Sequence, residues 1–114
     1  MRDDREKLLD IMEAIQQIEK YAVQGREAFE SSELIQVWHV RHLQVIGEAA
    51  RTLSPTLKEK HPQIPWARVV GMRHILVHHY FEIDLPVVWE VVEHELPALK
   101  ARLEAILRQE GEGG

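Results

Sequence analysis

One short segment of the chain concentrates side chains that bind anions and transfer protons. Residues 71–84 read GMRHILVHHYFEID, and the first ten of them hold one arginine, three histidines and one tyrosine. A histidine can transfer a proton near neutral pH, and an arginine offers a planar, permanently charged fork that suits phosphate oxygens. These residue types together indicate chemistry on an anionic ligand.

The charge around this segment differs from that of the whole chain. Residues 60–81 contain no Asp or Glu, although the chain has 19 acidic and 14 basic residues and a formal net charge of -5. The acidic balance argues against broad, nonspecific coating of nucleic acid, because that mode needs many phosphate-neutralising side chains. A nucleic-acid role would need a focused cleft.

Composition limits the class of protein. The 114 residues, 45% of them hydrophobic, predict a single domain over residues 1–110 with a flexible tail at 111–114. The chain has no cysteine, which excludes disulfides, thiol nucleophiles and thiolate zinc sites. The N-terminal sequence has no hydrophobic signal core and no apolar run long enough to span a membrane, so we expect a cytoplasmic protein.

Hydrophobic periodicity predicts helices on both sides of the segment. Apolar residues three or four apart predict a helix from Asp4 to about Val23 and a second from a Ser31 or Ser32 cap to about Leu53, with a linker between them. Residues 54–65 contain three prolines and are expected to be irregular.

A third helix is predicted to follow Pro65 and to run into or near residues 78–81. A long fourth helix is predicted from the N-cap Asp84, with a kink or break at Pro97. No useful β-alternation appears in the sequence. The fold class is therefore predicted as all-α, an antiparallel bundle of four to five helices.

The spacing of the polar residues poses a geometric problem. On a regular helix Arg73 and Tyr80 lie on nearly the same face, whereas His78 is rotated from Arg73 by about 140°. One ideal helix would not bring Arg73 and His78 together. Either the helix distorts near Gly71 or His78, or a second subunit completes the site.

The residue types suit cleavage of RNA, whose 2′-hydroxyl is an internal nucleophile. A histidine would serve as general base or general acid, and an arginine would bind the scissile phosphate and stabilise its developing charge. Tyr80 could orient the phosphate or donate a hydrogen bond. A single acid or base with charge stabilisation can suffice for this reaction without a metal.

Four segments, in order, resemble one family. Arg73-x4-His78-x-Tyr80 resembles the Arg-x4-6-His motif of HEPN domains, in the tyrosine-bearing form of the HepT-like toxins. The wider match consists of LQVIGEAARTLS at 43–54, IPW at 64–66, GMRHILVHHYFEID at 71–84 and VVWEVVEHELPAL at 87–99. The family often has Asn after the arginine, where this chain has His74.

The resemblance implies a metal-independent endoribonuclease toxin without cofactor. It also implies a homodimer, in which Arg73 and His78 of both protomers line a shared cleft. The implied partner is a minimal nucleotidyltransferase (MNT) antitoxin that silences the toxin by AMPylating the motif tyrosine, here Tyr80. His74 and Glu48 are candidate supporting residues.

Other interpretations remain open. The fold could serve as a non-catalytic nucleotide- or partner-binding module of a nucleotidyltransferase complex, or as a structural dimer whose histidines sense pH. His74 and His78, four apart, could share a zinc ion, although no third ligand is obvious. Gly47 is expected to allow close helix packing. Glu48 could either pair with a nearby arginine such as Arg51 or Arg41, or support the motif.

Overall fold

The computed structural model describes residues 3–74 and 84–113, and within these ranges it contains helices and no strand. The α-helices are α1 (Asp4–Ala22), α2 (Arg26–Ser31), α3 (Glu33–Arg51), α4 (Pro55–Lys60), α5 (Trp66–Gly71), α6 (Leu85–Glu90) and α7 (Leu96–Gly113). A 3-10 turn, Met72–His74, follows α5, and a π-helical segment, Val91–Glu95, joins α6 to α7. The all-α prediction is confirmed.

The core forms where α1 packs against α3 and α7. Each of these helices buries one apolar stripe, and the fully enclosed side chains include Leu8, Ile11, Ile15, Leu43, Ile46 and Leu103. Burial of each such side chain contributes about 1.5–3 kcal/mol relative to exposure. The result is a rigid support for the polar residues on the outer face of α3. None of the described helices is both long and apolar enough to cross a membrane.

Side-chain caps begin the helices close to where the sequence predicts them. The Asp3 carboxylate accepts a hydrogen bond from the Glu6 amide at 2.9 Å, and the Ser32 hydroxyl accepts one from the Ile35 amide at 3.2 Å. Each bond satisfies an amide that has no partner in the first helical turn. The predicted first and second helices are thereby confirmed to within about two residues.

Two short helices lie where the sequence predicts irregular chain. The linker expected around Gly25 to Glu30 is largely helical, because residues 26–31 form α2. Its Phe29 is buried, and the Phe29 ring lies 5.5 Å from that of Trp89. Residues 55–60 form α4, which Ser54 caps by accepting from the Leu57 amide at 3.1 Å. Proline is tolerated in a first turn, so Pro55 starts this helix instead of preventing it.

A π-helical segment interrupts the predicted fourth helix. Asp84 caps α6 as expected, accepting from the Val87 amide at 3.2 Å. At the end of the π segment the Leu96 amide donates to the Val91 carbonyl, five residues back. The wider turn lies directly before Pro97, which has no amide hydrogen and crowds the preceding turn of a regular helix. The predicted distortion at Pro97 is therefore a π bulge.

The predicted third helix departs from α-helical geometry early. It begins after Pro65 as expected, but the α-helix ends at Gly71 and tightens into the 3-10 turn Met72–His74. Its expected continuation toward residues 78–81 lies outside the described residues. Arg73 therefore lies in a 3-10 turn and not in a regular α-helix.

Candidate functional site

A glycine lets α3 approach the turn that carries Arg73. A Cβ atom built on Gly47 would lie 2.3 Å from the Arg73 backbone nitrogen and 2.9 Å from both its Cα and Cβ. Real Cβ atoms do not approach other atoms so closely, so this packing requires glycine at position 47. The expected packing role of Gly47 is thus found, and its neighbour is the motif arginine.

The next residue of α3 holds the side chain of that arginine. The Glu48 Oε2 atom lies 3.3 Å from the Arg73 Nε atom, and the Arg73 side chain is 35% exposed. The Glu48 Oε1 atom accepts hydrogen bonds from Arg51, at 3.1 Å from Nε and 2.6 Å from Nη2. Glu48 therefore pairs with Arg51, one of the partners considered for it, and also contacts the motif arginine, while its supporting role stays a prediction.

These arginines keep Glu48 ionised. The hydrogen bond from Arg51 lowers the pKa of the Glu48 carboxyl, the charges of Arg51 and Arg73 lower it further, and desolvation opposes them in part. The same hydrogen bond raises the pKa of Arg51. The ion pair between Glu48 and Arg73 therefore persists throughout the neutral pH range.

A cavity of about 400 Å³ opens beside Arg73 and is lined by Arg41, Gln44, Val45, Glu48, Arg73 and His74. Four of these residues belong to α3, and three of them lie three, four and seven positions after the first, Arg41. On a helix this spacing places them on one face. Sequence reasoning missed Gln44 and considered Arg41 only as an ion-pair partner. Gln44 lies four residues and Arg41 seven residues before Glu48 in the sequence. On a helix this spacing places all three on one face, and it could have indicated both residues.

The structure brings together three of the five predicted site residues. Arg73, Glu48 and His74 all line the cavity, and His74 is exposed on the 3-10 turn. His78 and Tyr80 lie outside the described residues. Within residues 3–74 and 84–113, no group of three His, Asp or Glu side chains is arranged to hold a metal ion.

Comparison with known proteins identifies the family. The model of the family described as "Ribonuclease HepT-like" matches residues 11–106, which is most of the chain. The chain belongs to the HepT-like ribonuclease family. The matched range includes the residues that line the cavity described above, which lie between Arg41 and His74.

Relatives of similar length support this assignment. A Thermococcus cleftensis protein named "Probable ribonuclease HepT" is 36% identical over 106 residues, covering 92% of this chain and 96% of its own length. A Methanocaldococcus jannaschii protein named "Putative RNase MJ1380" is 33% identical over 106 residues, covering 92% and 97%. No solved structure gives a significant match. The family and these names support ribonuclease activity for the chain.

Proposed function

We propose that this HepT-like chain is a metal-independent endoribonuclease that cleaves RNA by attack of the 2′-hydroxyl on the adjacent phosphorus. The reaction breaks the bond to the 5′-oxygen of the next nucleotide and leaves a cyclic phosphate. The observation that carries the proposal is the guanidinium of Arg73, held by Glu48 at the edge of a cavity. Membership of a ribonuclease family supports the same activity.

The contact with Glu48 suits Arg73 to phosphate binding. Because the carboxylate lies against Nε, the two terminal nitrogens at the far end of the guanidinium remain for a second anion. Phosphate oxygens match that fork in a bidentate manner. Arg73 would bind the scissile phosphate and stabilise the negative charge that grows on it during attack.

Histidines would move the protons in this mechanism. We assign the general base or general acid role to His78, on the strength of the family motif. His74, which lines the cavity with Arg73, is a candidate for the complementary role or for binding phosphate. Tyr80 would position the RNA.

We further propose that the enzyme is a homodimeric toxin controlled by a nucleotidyltransferase antitoxin. The antitoxin would transfer AMP from ATP to the Tyr80 hydroxyl and release pyrophosphate. The added anion would occupy space near Arg73 and exclude the substrate phosphate.

Sedimentation equilibrium at the monomer mass would contradict the dimer. Intact mass after co-expression should rise by whole adenylyl units that map to Tyr80, and an unmodified, fully active toxin would contradict the control mechanism.

The activity is tested by assaying purified parent, Arg73→Ala and His78→Ala proteins on single-stranded RNA in the presence of EDTA. We expect the parent to cleave and each variant to lose about 100-fold or more of that activity, the effect typical of removing a catalytic group. His94→Ala and Arg102→Gln, which change exposed side chains away from this cavity, should cleave like the parent.

A second outcome would favour the binding-module interpretation. Binding of nucleotide by the unmodified parent, with no cleavage of any RNA, would replace the enzyme proposal by that one. Cleavage that is equal in parent and His78→Ala would instead remove His78 from the mechanism. Loss of cleavage in EDTA, with recovery after addition of a divalent ion, would contradict metal independence.

A further inference from the structure

We propose that Arg41, assisted by Gln44, forms a second phosphate subsite beside Arg73 and binds the phosphate that flanks the scissile bond in a single RNA strand. The inference rests on the proposed ribonuclease function and specifies how its substrate is bound. Arg41 acts in substrate binding, and the proton transfers belong to other residues.

Position along α3 supports the subsite. Arg41 lies two helical turns before Glu48, a separation of about 10 Å along the helix axis. Both line the same cavity as Arg73, and Gln44 lies between them on the same face. A strand whose scissile phosphate binds Arg73 can thus follow α3 toward Arg41, with the Gln44 amide available as a hydrogen-bond donor on the way.

The charges of the cavity favour an anion at this position. Its carboxylate, Glu48, is already paired with Arg51 and Arg73. Arg41 is exposed and has no ion-pair or hydrogen-bond partner among the described residues. The lining therefore carries an uncompensated positive charge at Arg41. Its guanidinium cannot lose that charge at any physiological pH, so the subsite remains cationic.

A second, larger groove adjoins the proposed subsite at Arg41. This groove, of about 750 Å³ between α1 and α3, continues from Arg41, and the carboxylates of Asp10 and Glu13 and the ammonium of Lys7 line it. The charges of this groove are therefore mixed, whereas the carboxylate in the smaller cavity, Glu48, is paired with arginines. In this proposal the cavity binds two phosphates, one at Arg73 and one at Arg41.

The subsite is tested by comparing substrates that contain one or two phosphates. For a trinucleotide with a single cleavable bond, Arg41→Gln should raise KM about tenfold at similar kcat, because one charge-assisted contact is lost. For a dinucleoside monophosphate, which contains only the scissile phosphate, Arg41→Gln and parent should have equal kcat/KM. Equal KM values on the trinucleotide, or equal losses on both substrates, would overturn the subsite.

Salt dependence gives a readout that does not need cleavage. Binding of a single-stranded RNA with 2′-deoxy substitution at the cleavage site is measured at several salt concentrations. The logarithm of the association constant for RNA is plotted against the logarithm of the salt concentration. The slope for Arg41→Gln should be smaller in magnitude than that of the parent by about 0.7, the effect of one phosphate contact on a single strand. Arg102→Gln, an equal change of charge on α7, should keep the parent slope.

These measurements separate the two proposals. Binding with the altered slope but no cleavage by the parent would remove the enzyme and keep the subsite. Cleavage by the parent with an unaltered Arg41→Gln slope would keep the enzyme and remove the subsite. A parent that neither binds nor cleaves RNA would overturn both.

Discussion

Glu48 connects two arginines with different roles. Arg51, on the same helix, donates to the Oε1 atom of Glu48. Arg73, on the 3-10 turn after α5, lies against the Oε2 atom. All three side chains are partly exposed, so the pairs add little to the free energy of unfolding. Their main effect is on geometry, because they restrict the rotamers that Arg73 can adopt beside the cavity.

Replacement of Glu48 by Gln should therefore reduce activity more than stability. We expect kcat/KM on RNA to fall by up to about fivefold, the equivalent of one exposed ion pair, with an unchanged midpoint of thermal unfolding. The matched control is Arg51→Gln, which removes the other partner of Glu48 and leaves the contact with Arg73. Equal losses in the two variants would contradict a positioning role for Glu48.

The pH profile should not report Glu48. Its pKa lies below the ordinary value of 4.5, so the carboxylate is ionised throughout a neutral assay range. An inflection in the parent profile between pH 5 and 8 would therefore come from histidines. Glu48→Gln should lower the whole profile without moving such an inflection.

At the level of elements, the site depends on how closely α3 meets the 3-10 turn. Gly47 and Gly71 provide a matched pair for testing this contact. A Cβ atom at position 47 would collide with the Arg73 backbone, whereas one at position 71 would meet nothing within 4 Å. Both glycines lie in helices. Gly47 lies inside α3 and Gly71 is the last residue of α5, and the space around the two positions differs.

We predict opposite effects for alanine at these two positions. Gly47→Ala should lower the free energy of unfolding by about 1–3 kcal/mol, because the backbone of the turn must move. Gly71→Ala should leave it unchanged or raise it by up to about 1 kcal/mol, since alanine favours the helix. Denaturant unfolding of both variants measures this. Equal free energies of unfolding for the two variants would show that α3 and the 3-10 turn can move apart at no energetic cost.

In the whole molecule, one buried histidine lies at the junction of three helices. The His39 ring on α3 is fully buried and stacks on Phe29 of α2 at 5.3 Å, and Phe29 in turn packs against Trp89 of α6. Neither ring nitrogen of His39 has a hydrogen-bond partner in the part of the chain that the structure describes. Burial, with a smaller effect of the charge on His42, lowers the pKa of His39 to about 4.

His39 should therefore make the fold sensitive to acid. Its pKa of about 4 in the folded protein lies below the ordinary 6.5, so the unfolded chain binds the proton more readily. Its contribution to stability is complete above pH 6.5 and is lost as the pH falls toward 4, to a total of about 3 kcal/mol.

The measurement is the free energy of unfolding of parent and His39→Leu between pH 7 and pH 4. The variant should lose less stability across this range, whatever its stability at pH 7. His94→Gln, which changes an exposed histidine, should follow the parent. Parallel curves for parent and His39→Leu would show that His39 does not couple folding to protonation.

The sequence by itself determined the helical class, the main helix boundaries and the motif that leads to the family. Apolar spacing and capping residues are local, so α1, α3 and the Asp84 cap could be found without coordinates. The resemblance likewise needed only residues and their order. Roles for His78 and Tyr80 stay predictions from that motif.

Only the tertiary structure decided which side chains meet. The six-residue helix α2 depends on burial of Phe29 against α3 and α6, and no local period reveals that burial. The approach of Gly47 to Arg73 joins residues 26 positions apart in the sequence. Such contacts arise from packing between helices and not from the spacing within one. For the same reason Arg41 could be assigned to the cavity of Arg73 only after α3 and the turn were seen together.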